Sequence, residues 1–119
     1  MNTAEEFLNL TAKLRDENKA YVLAELNDLL TAASGDRIES LAAPDIGSPY
    51  LANYVAAMVE LAAHIRGVDP PLWTSAIPPL AEPVLPCPGR ASERILTLAS
   101  PVPFRRRNIF IDSSIGARV

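Results

Sequence analysis

Apolar residues recur every three or four positions through the first third of the chain, which is the spacing of an amphipathic helix. Thr3 and Glu6 stand at the spacing of a capping box and predict that a helix starts there. The polar run at 16–19 leaves open either one long helix over 4–33 or two helices with a turn near Asn18, and we favour two helices. The apolar stripe consists of Phe7, Leu10, Leu14, Tyr21, Val22, Leu26, Leu29, Leu30 and Ala33.

Two further helices are predicted in the first part of the chain. Gly35 ends the preceding helix, since glycine adopts the left-handed conformation at little steric cost, and Asp36 opens a short helix. The strongest helix signal follows, with Ser48 as N-cap, Pro49 at the first helical position and Gly67 just past the end. The predicted buried stripe of this helix consists of Leu51, Tyr54, Val55, Met58, Leu61, Ala62 and Ile65.

The second part of the chain is rich in proline. Nine of the 11 prolines fall between Pro70 and Pro103, and proline inside a helix costs about 3 kcal/mol. We therefore predict an extended arm over 70–88 that packs across the helices, with Trp73 as its anchor. Residues 94–98 and 107–111 have β-type content, and with the prolines between them as the turn they predict a small hairpin.

The predicted fold is mainly α: a small bundle of three or four helices, a proline-rich extended arm and a short C-terminal β-hairpin. The helical part covers 1–69, and the arm and hairpin cover 70–119. We expect one structural domain, because 119 residues is a common size for a single domain. The first part carries a net charge of −6 and the second +3. The total of −3 excludes a protein that coats nucleic acid through bulk charge.

Few residues are suited to metal or catalytic chemistry. Cys87 has no second cysteine to pair with, and together with His64 it is too small a set for a zinc site, so we expect neither metal nor cofactor. His64 follows Glu60 by one helical turn, which would allow an acid/base pair, although such pairs are usually structural. We do not expect an enzyme.

The first residues are acidic, where an export signal would be basic and then apolar. No apolar stretch reaches the ~20 residues that cross a bilayer. We therefore expect a cytoplasmic protein without a membrane partner.

The strongest local signal is the run of three arginines at 105–107, which has phenylalanines on both sides. Guanidinium groups can grip phosphates or carboxylates through two hydrogen bonds each. In a strand, Arg105 and Arg107 would share one face and Arg106 would take the other. The alternative is a solvated strand edge whose cations pair with acidic residues of the same chain. The candidate partner-binding residues are Trp73, Phe104, Arg105, Arg106, Arg107 and Phe110.

The segment from Pro70 to Val119, with Pro71-Leu72-Trp73-Thr74, Pro79-Leu80 and Phe104-Arg105-Arg106-Arg107-Asn108-Ile109-Phe110-Ile111-Asp112, resembles a family of small uncharacterised bacterial proteins. That family is similar to the smaller, antitoxin-like members of two-gene modules whose larger member has a nucleotidyltransferase-like fold. Some relatives are joined to a helix-turn-helix domain. This chain departs from the joined forms because 1–69 is net acidic and contains no basic recognition helix.

Our leading hypothesis is a non-enzymatic protein-interaction module, an antitoxin-like or accessory partner of a nucleotidyltransferase-like toxin. The alternative is a nucleic-acid-binding regulatory module that uses Arg105–Arg107, with Phe104 and Phe110 for base stacking. An enzyme that uses Glu60 and His64 ranks last.

Overall fold

The computed structural model describes residues 3–14, 19–81 and 102–109, and this part of the chain is mainly helical. The prediction of a mainly α fold is therefore confirmed. No candidate transmembrane helix occurs among the described residues, because none of their helices is both long and apolar enough. The described helices are α1 (Thr3–Lys13), α2 (Lys19–Ala32), α3 (Gly35–Glu39), α4 (Pro49–Arg66), α5 (Leu72–Ala76) and α6 (Val102–Arg105).

The N-terminal apolar stripe forms two helices, as predicted. α1 and α2 pack against each other, and the turn predicted near Asn18 lies outside the described residues. Helical spacing brings one face of each helix into the core, where each buried aliphatic or aromatic side chain contributes about 1.5–3 kcal/mol. The fully buried side chains of these two helices are Phe7, Val22, Leu26 and Leu30, and Leu14, directly after α1, is also fully buried.

The junction between α2 and α3 corrects the prediction for Gly35. Ser34 is extended and occupies the N-cap position of α3 without a side-chain capping hydrogen bond, while Gly35 is the first helical residue and does not have a positive φ. Glycine is needed there for space, because a Cβ atom at this position would lie 2.7 Å from the Cγ1 atom of Val68. Arg66 of α4 reaches the end of α2, where its Nε donates to the Ala33 carbonyl at 3.2 Å and its Nη2 donates to the Thr31 carbonyl. The close approach of Gly35 to Val68 therefore joins α3 to the end of α4. The hydrogen bonds from Arg66 to the carbonyls at the C-terminus of α2 join α2 to the same end.

α4 lies at the centre of the fold, and both predicted ends are confirmed. The Ser48 hydroxyl accepts a hydrogen bond from the Leu51 N–H at 3.3 Å, and Gly67 adopts the left-handed conformation with φ of 70°. The Val68 N–H donates to the Ala63 carbonyl at 3.0 Å, which completes a Schellman motif. α4 packs against α2, α3, α5 and α6, and its residues are buried almost without interruption over 51–63.

The part of the arm that the structure describes, over 70–81, packs against the helices and is not extended throughout. Trp73 lies in α5, its indole N–H donates to the Leu41 carbonyl at 2.9 Å, and its ring lies 6.2 Å from the Phe7 ring. The role of Trp73 as anchor is confirmed. The segment over 72–76 is helical because it contains no proline and Pro71 precedes its first turn, where proline is tolerated. The rest of the predicted arm, over 82–88, lies outside the described residues.

The second strand of the predicted hairpin does not begin at Arg107. Residues 102–105 form α6, and Arg107 and Asn108 lie in the turn that follows it. Pro103 therefore lies in a first helical turn, where its missing N–H costs nothing, rather than in a hairpin turn. The predicted first strand and the end of the second, over 94–98 and 110–111, lie outside the described residues.

Replacing Gly67 by alanine should destabilise the protein by about 1 kcal/mol, because a side chain in the left-handed region is strained even without a clash. Gly47→Ala is the matched control, since a Cβ there also meets nothing and its φ is not in that region. Urea unfolding should show no loss for Gly47→Ala. Equal losses in the two variants would contradict this assignment.

Gly35→Ala should cost about 1–3 kcal/mol through overpacking against Val68. Removing the clashing methyl groups with Val68→Ala should reduce the cost of Gly35→Ala to under about 0.5 kcal/mol when both are combined. A double-mutant cycle of unfolding free energies measures this coupling. Additive losses would show that Val68 is not what makes glycine necessary here.

Candidate functional site

Arg107 is buried and paired with a buried carboxylate of α4. Its exposed fraction is 5% and that of Glu60 is 8%. Both Nε and Nη2 of Arg107 lie 3.0 Å from Oε1 of Glu60. Two charges removed from water are tolerated when they pair closely and their remaining polar atoms are also hydrogen-bonded.

The rest of the Arg107 guanidinium is held by neutral acceptors. Nη1 donates to Oδ1 of Asn53 at 2.8 Å and to the Ile77 carbonyl at 3.4 Å, and Nη2 donates to the Thr74 carbonyl. The Asn53 amide in turn donates to the carbonyls of Pro49 at 2.9 Å and of Pro78 at 3.0 Å. This network, called the Arg107 network below, ties α4, α5, the arm and the C-terminal turn together.

The turn after α6 sets the position of Arg107. The Ile109 N–H donates to the Phe104 carbonyl at 2.9 Å and the Asn108 N–H donates to the Arg105 carbonyl at 3.0 Å, which is a second Schellman motif. Asn108 occupies its left-handed position with φ of 63°. The turn is fastened to the arm, because the Leu80 N–H donates to the Arg107 carbonyl at 3.3 Å and the Asn108 amide donates to the Leu80 carbonyl.

Phe104 packs into the core beside two tyrosines of α4. Its ring meets Tyr54 edge to face at 5.2 Å between centroids, and Tyr54 lies 5.9 Å from Tyr50. Burial raises the pKa of the Tyr50 phenol above its ordinary value, so this hydroxyl is neutral at physiological pH. The ring contacts of Phe104 and the Arg107 network therefore both fix the segment 102–109 to α4.

Arg105 and Arg106 have exposed side chains. The Arg106 side chain is 66% exposed, and its Nη2 lies 4.0 Å from Oε2 of Glu60. Oε1 of the same carboxylate already accepts two bonds from Arg107. One buried carboxylate thus faces two guanidinium groups, which leaves a positive charge at the surface.

A cleft of about 550 Å³ opens beside Arg106, between α4, the loop after it and α6. Charged or titratable side chains also line it, namely Glu60, His64 and Asp69 together with Arg106. A smaller cleft of about 240 Å³, reaching α5 and the arm, shares Glu60 and Arg106 with the larger one. The apolar walls of the larger cleft are Leu61, Val68, Pro70, Val102 and Pro103. These two clefts and the exposed side chains of Arg105 and Arg106 are called the arginine surface below.

The structure divides the predicted partner-binding residues into two groups. Arg107 and Phe104 point into the protein and Trp73 anchors the arm, while Arg105 and Arg106 are exposed. Phe110 lies outside the described residues. The expectation that Arg105 and Arg107 share a face is wrong, because the backbone there is a helix and a turn rather than a strand. The alternative interpretation, pairing with an acidic residue of the same chain, applies to Arg107.

Sequence reasoning missed Asn53 and assigned Glu60 to the wrong partner. Glu60 binds Arg107, and His64, the partner considered for it, is exposed. A signal was present, because Asn53 and Glu60 are seven residues apart and therefore lie on one face of an otherwise apolar helix. Polar residues on a buried face need buried partners, and the sequence contains no indication that the partner is Arg107.

No three His, Cys, Asp or Glu side chains within the described ranges converge on a point where a metal ion would bind. No protein-family model matches the chain, and no curated protein or solved structure matches it either.

Arg107→Met should destabilise the protein by about 3–5 kcal/mol, because it leaves the Glu60 carboxylate buried without its cation. Adding Glu60→Leu should restore at least half of the loss, since the unpaired charge is then gone. Urea unfolding of both variants measures the difference. Arg106→Gln, with an exposed side chain, is the control and should change the stability by less than about 1 kcal/mol. If the Arg107→Met variant were as stable as the wild-type protein, the role assigned to the pair of Arg107 and Glu60 would be contradicted.

Proposed function

We propose that this chain is a non-enzymatic protein-interaction module that binds its partner through the arginine surface. The proposal rests on one observation: the Glu60 carboxylate binds the Arg107 guanidinium closely and the Arg106 guanidinium only at a longer distance. Arg107 takes Oε1 at 3.0 Å inside the protein, and Arg106 remains 4.0 Å from Oε2 with most of its side chain in solvent. A cation held next to a buried ion pair, and not neutralised by it, attracts an anionic group from outside.

An exposed aliphatic side chain beside Arg106 supports the same proposal. Val102 is 50% exposed at the start of α6. It lines the larger cleft together with Arg106. Protein interfaces combine aliphatic contact with arginine in this way, because arginine contributes both charge and a flat apolar surface.

The resemblance of the C-terminal half to antitoxin-like proteins makes a nucleotidyltransferase-like toxin the partner that we propose. The metal-binding carboxylates of such an enzyme would be the natural target for Arg105 and Arg106. Arg107 is left out of this role, because its donors are bound within the chain.

The hypothesis of a nucleic-acid-binding module receives less support from the geometry. It depended on Phe104 and Phe110 for stacking and on three arginines for phosphates, and Phe110 lies outside the described residues. Phe104 is buried against Tyr54 and Arg107 is buried against Glu60. Only Arg105 and Arg106 of the described candidates remain exposed.

Co-expression with the product of the adjacent gene tests the proposal. Light scattering after size-exclusion chromatography should show a stoichiometric complex, and Arg106→Gln should weaken it about fivefold, as expected for loss of one partly exposed ion pair. Lys13→Gln is the matched control, since it removes the same charge from an exposed residue of α1, at a separate cleft. If the chain forms no complex with the co-expressed protein, or if both variants weaken the complex equally, the proposal is contradicted.

A further inference from the structure

We infer that residues 102–109 form a latch that releases from α4 as one unit while α1 to α5 stay folded. Arg105 and Arg106 lie in this latch, so its release also removes them from the arginine surface. The release depends only on the contacts of the latch, and its consequence for partner binding rests on the proposed function.

Most of the buried apolar core lies outside the latch. Within the described ranges, the latch contributes Phe104 and Ile109 to the 19 buried hydrophobic residues, and the other 17 lie in 3–81. The free energy of a local opening grows with the buried apolar surface that it exposes. Release of the latch therefore costs less than unfolding of the whole chain, and it leaves the core among α1, α2, α3 and α4 in place.

The arm keeps its own attachment to the helices when the latch leaves. The Trp73 indole donates to the Leu41 carbonyl at 2.9 Å. The Asn53 amide donates to the Pro78 carbonyl at 3.0 Å. None of these four residues belongs to the latch, so α5 and the arm remain bound after its release.

The hydrogen bonds within the latch make its release cooperative. The Arg107 N–H and the Ile109 N–H both donate to the Phe104 carbonyl, at 3.0 Å and 2.9 Å. The latch is bound to the arm as well, since the Leu80 N–H donates to the Arg107 carbonyl at 3.3 Å. Because one hydrogen-bonded turn carries Phe104, Arg107 and Ile109, these three side chains leave the core together.

The buried charges of this interface lower the cost of release. Glu60 and Arg107 are the buried charged residues of the described ranges, and they face each other across the contact between the latch and α4. Release returns both charges to water, and the hydration that they regain offsets part of the lost attraction and hydrogen bonding. An apolar contact of the same area would have no such compensation.

Release of the latch is coupled to partner binding. A partner that contacts Arg106 at the arginine surface binds the closed latch, and by linkage it shifts the population toward the closed state. The Arg107 network therefore sets the fraction of the protein that is ready to bind.

Native-state hydrogen exchange of the full-length protein, followed by NMR at low urea concentrations, tests the inference. Three amides report on the latch: those of Asn108 and Ile109 donate within it, and that of Leu80 donates to the Arg107 carbonyl. These three should share one protection factor, at least about tenfold lower than that of the Met58 amide inside α4. Their exchange should depend weakly on urea and that of Met58 steeply, because release of the latch exposes little surface.

Glu60→Gln distinguishes release of the latch from fraying of its single hydrogen bonds. The variant removes the charge partner of Arg107 and should lower the protection of all three latch amides by one common factor of at least about fivefold. Glu39→Gln is the matched control, since it makes the same change at an exposed residue of α3 and should leave these amides unchanged. Unequal responses of the three amides to Glu60→Gln, or no response, would overturn the inference.

Leu26→Ala distinguishes release of the latch from global unfolding. Leu26 is fully buried in α2, which packs against α1 and α4. The cavity should lower the protection of Met58 at least about tenfold, and the latch amides should not change, because α2 stays packed when the latch is released. An equal loss at Met58 and at the latch amides would show that the latch opens only with the whole protein. If Leu26→Ala does not fold, a urea dependence of the wild-type latch amides as steep as that of Met58 overturns the inference instead.

The outcome is distinguishable from failure of the proposed function. If the neighbouring protein forms a complex that depends on Arg106 while the latch amides exchange together with Met58, the interaction module stands and the latch is wrong. If no complex forms but the latch amides exchange as a separate unit, the latch stands and the proposed toxin partner is wrong.

Discussion

The fold depends on one buried ion pair, between Arg107 of the C-terminal turn and Glu60 of α4. Burial of two unlike charges is tolerated only when the remaining donors find acceptors, and the Asn53 side chain and the carbonyls of Thr74 and Ile77 supply them. These acceptors belong to α4, α5 and the arm, so one side chain fixes three elements at once. A chain segment far from α4 in sequence is thereby made part of the same core.

The same pair determines what the surface presents. Phe104 and Arg107 are three residues apart at the end of α6, which places both on the inner side of that helical turn, and the two arginines between them face outward. The helical turn therefore divides the arginine run into one structural cation and two exposed ones. Glu60 binds Arg107 closely and only approaches Arg106, so Arg106 stays exposed at a cleft that Asp69 also lines. The proposed function follows from the exposure of Arg106.

A second set of contacts fixes the C-terminal end of α4. Arg66 holds the final carbonyls of α2, and Val68 fills the space that Gly35 leaves open at the start of α3. The helix is long enough, with 18 residues, to carry both sets of contacts. α4 therefore acts as the central support of the fold, because Glu60 binds the C-terminal turn and Arg66 and Val68 contact the end of α2 and the start of α3.

The sequence by itself determined the features that depend on local chemistry. Helical periodicity predicted α1 and α2, and the Ser48 N-cap and Gly67 predicted the bounds of α4. The apolar character of the proline-rich segment predicted that Trp73 anchors the arm. The tertiary structure alone decided the partner of Glu60, the reason for a glycine at position 35, and the helical form of residues 102–105. The physical reason is that local signals act within a few residues, whereas Arg107 and Glu60 are 47 residues apart. A run of three arginines has the same sequence whether one of them is buried or all are in solvent.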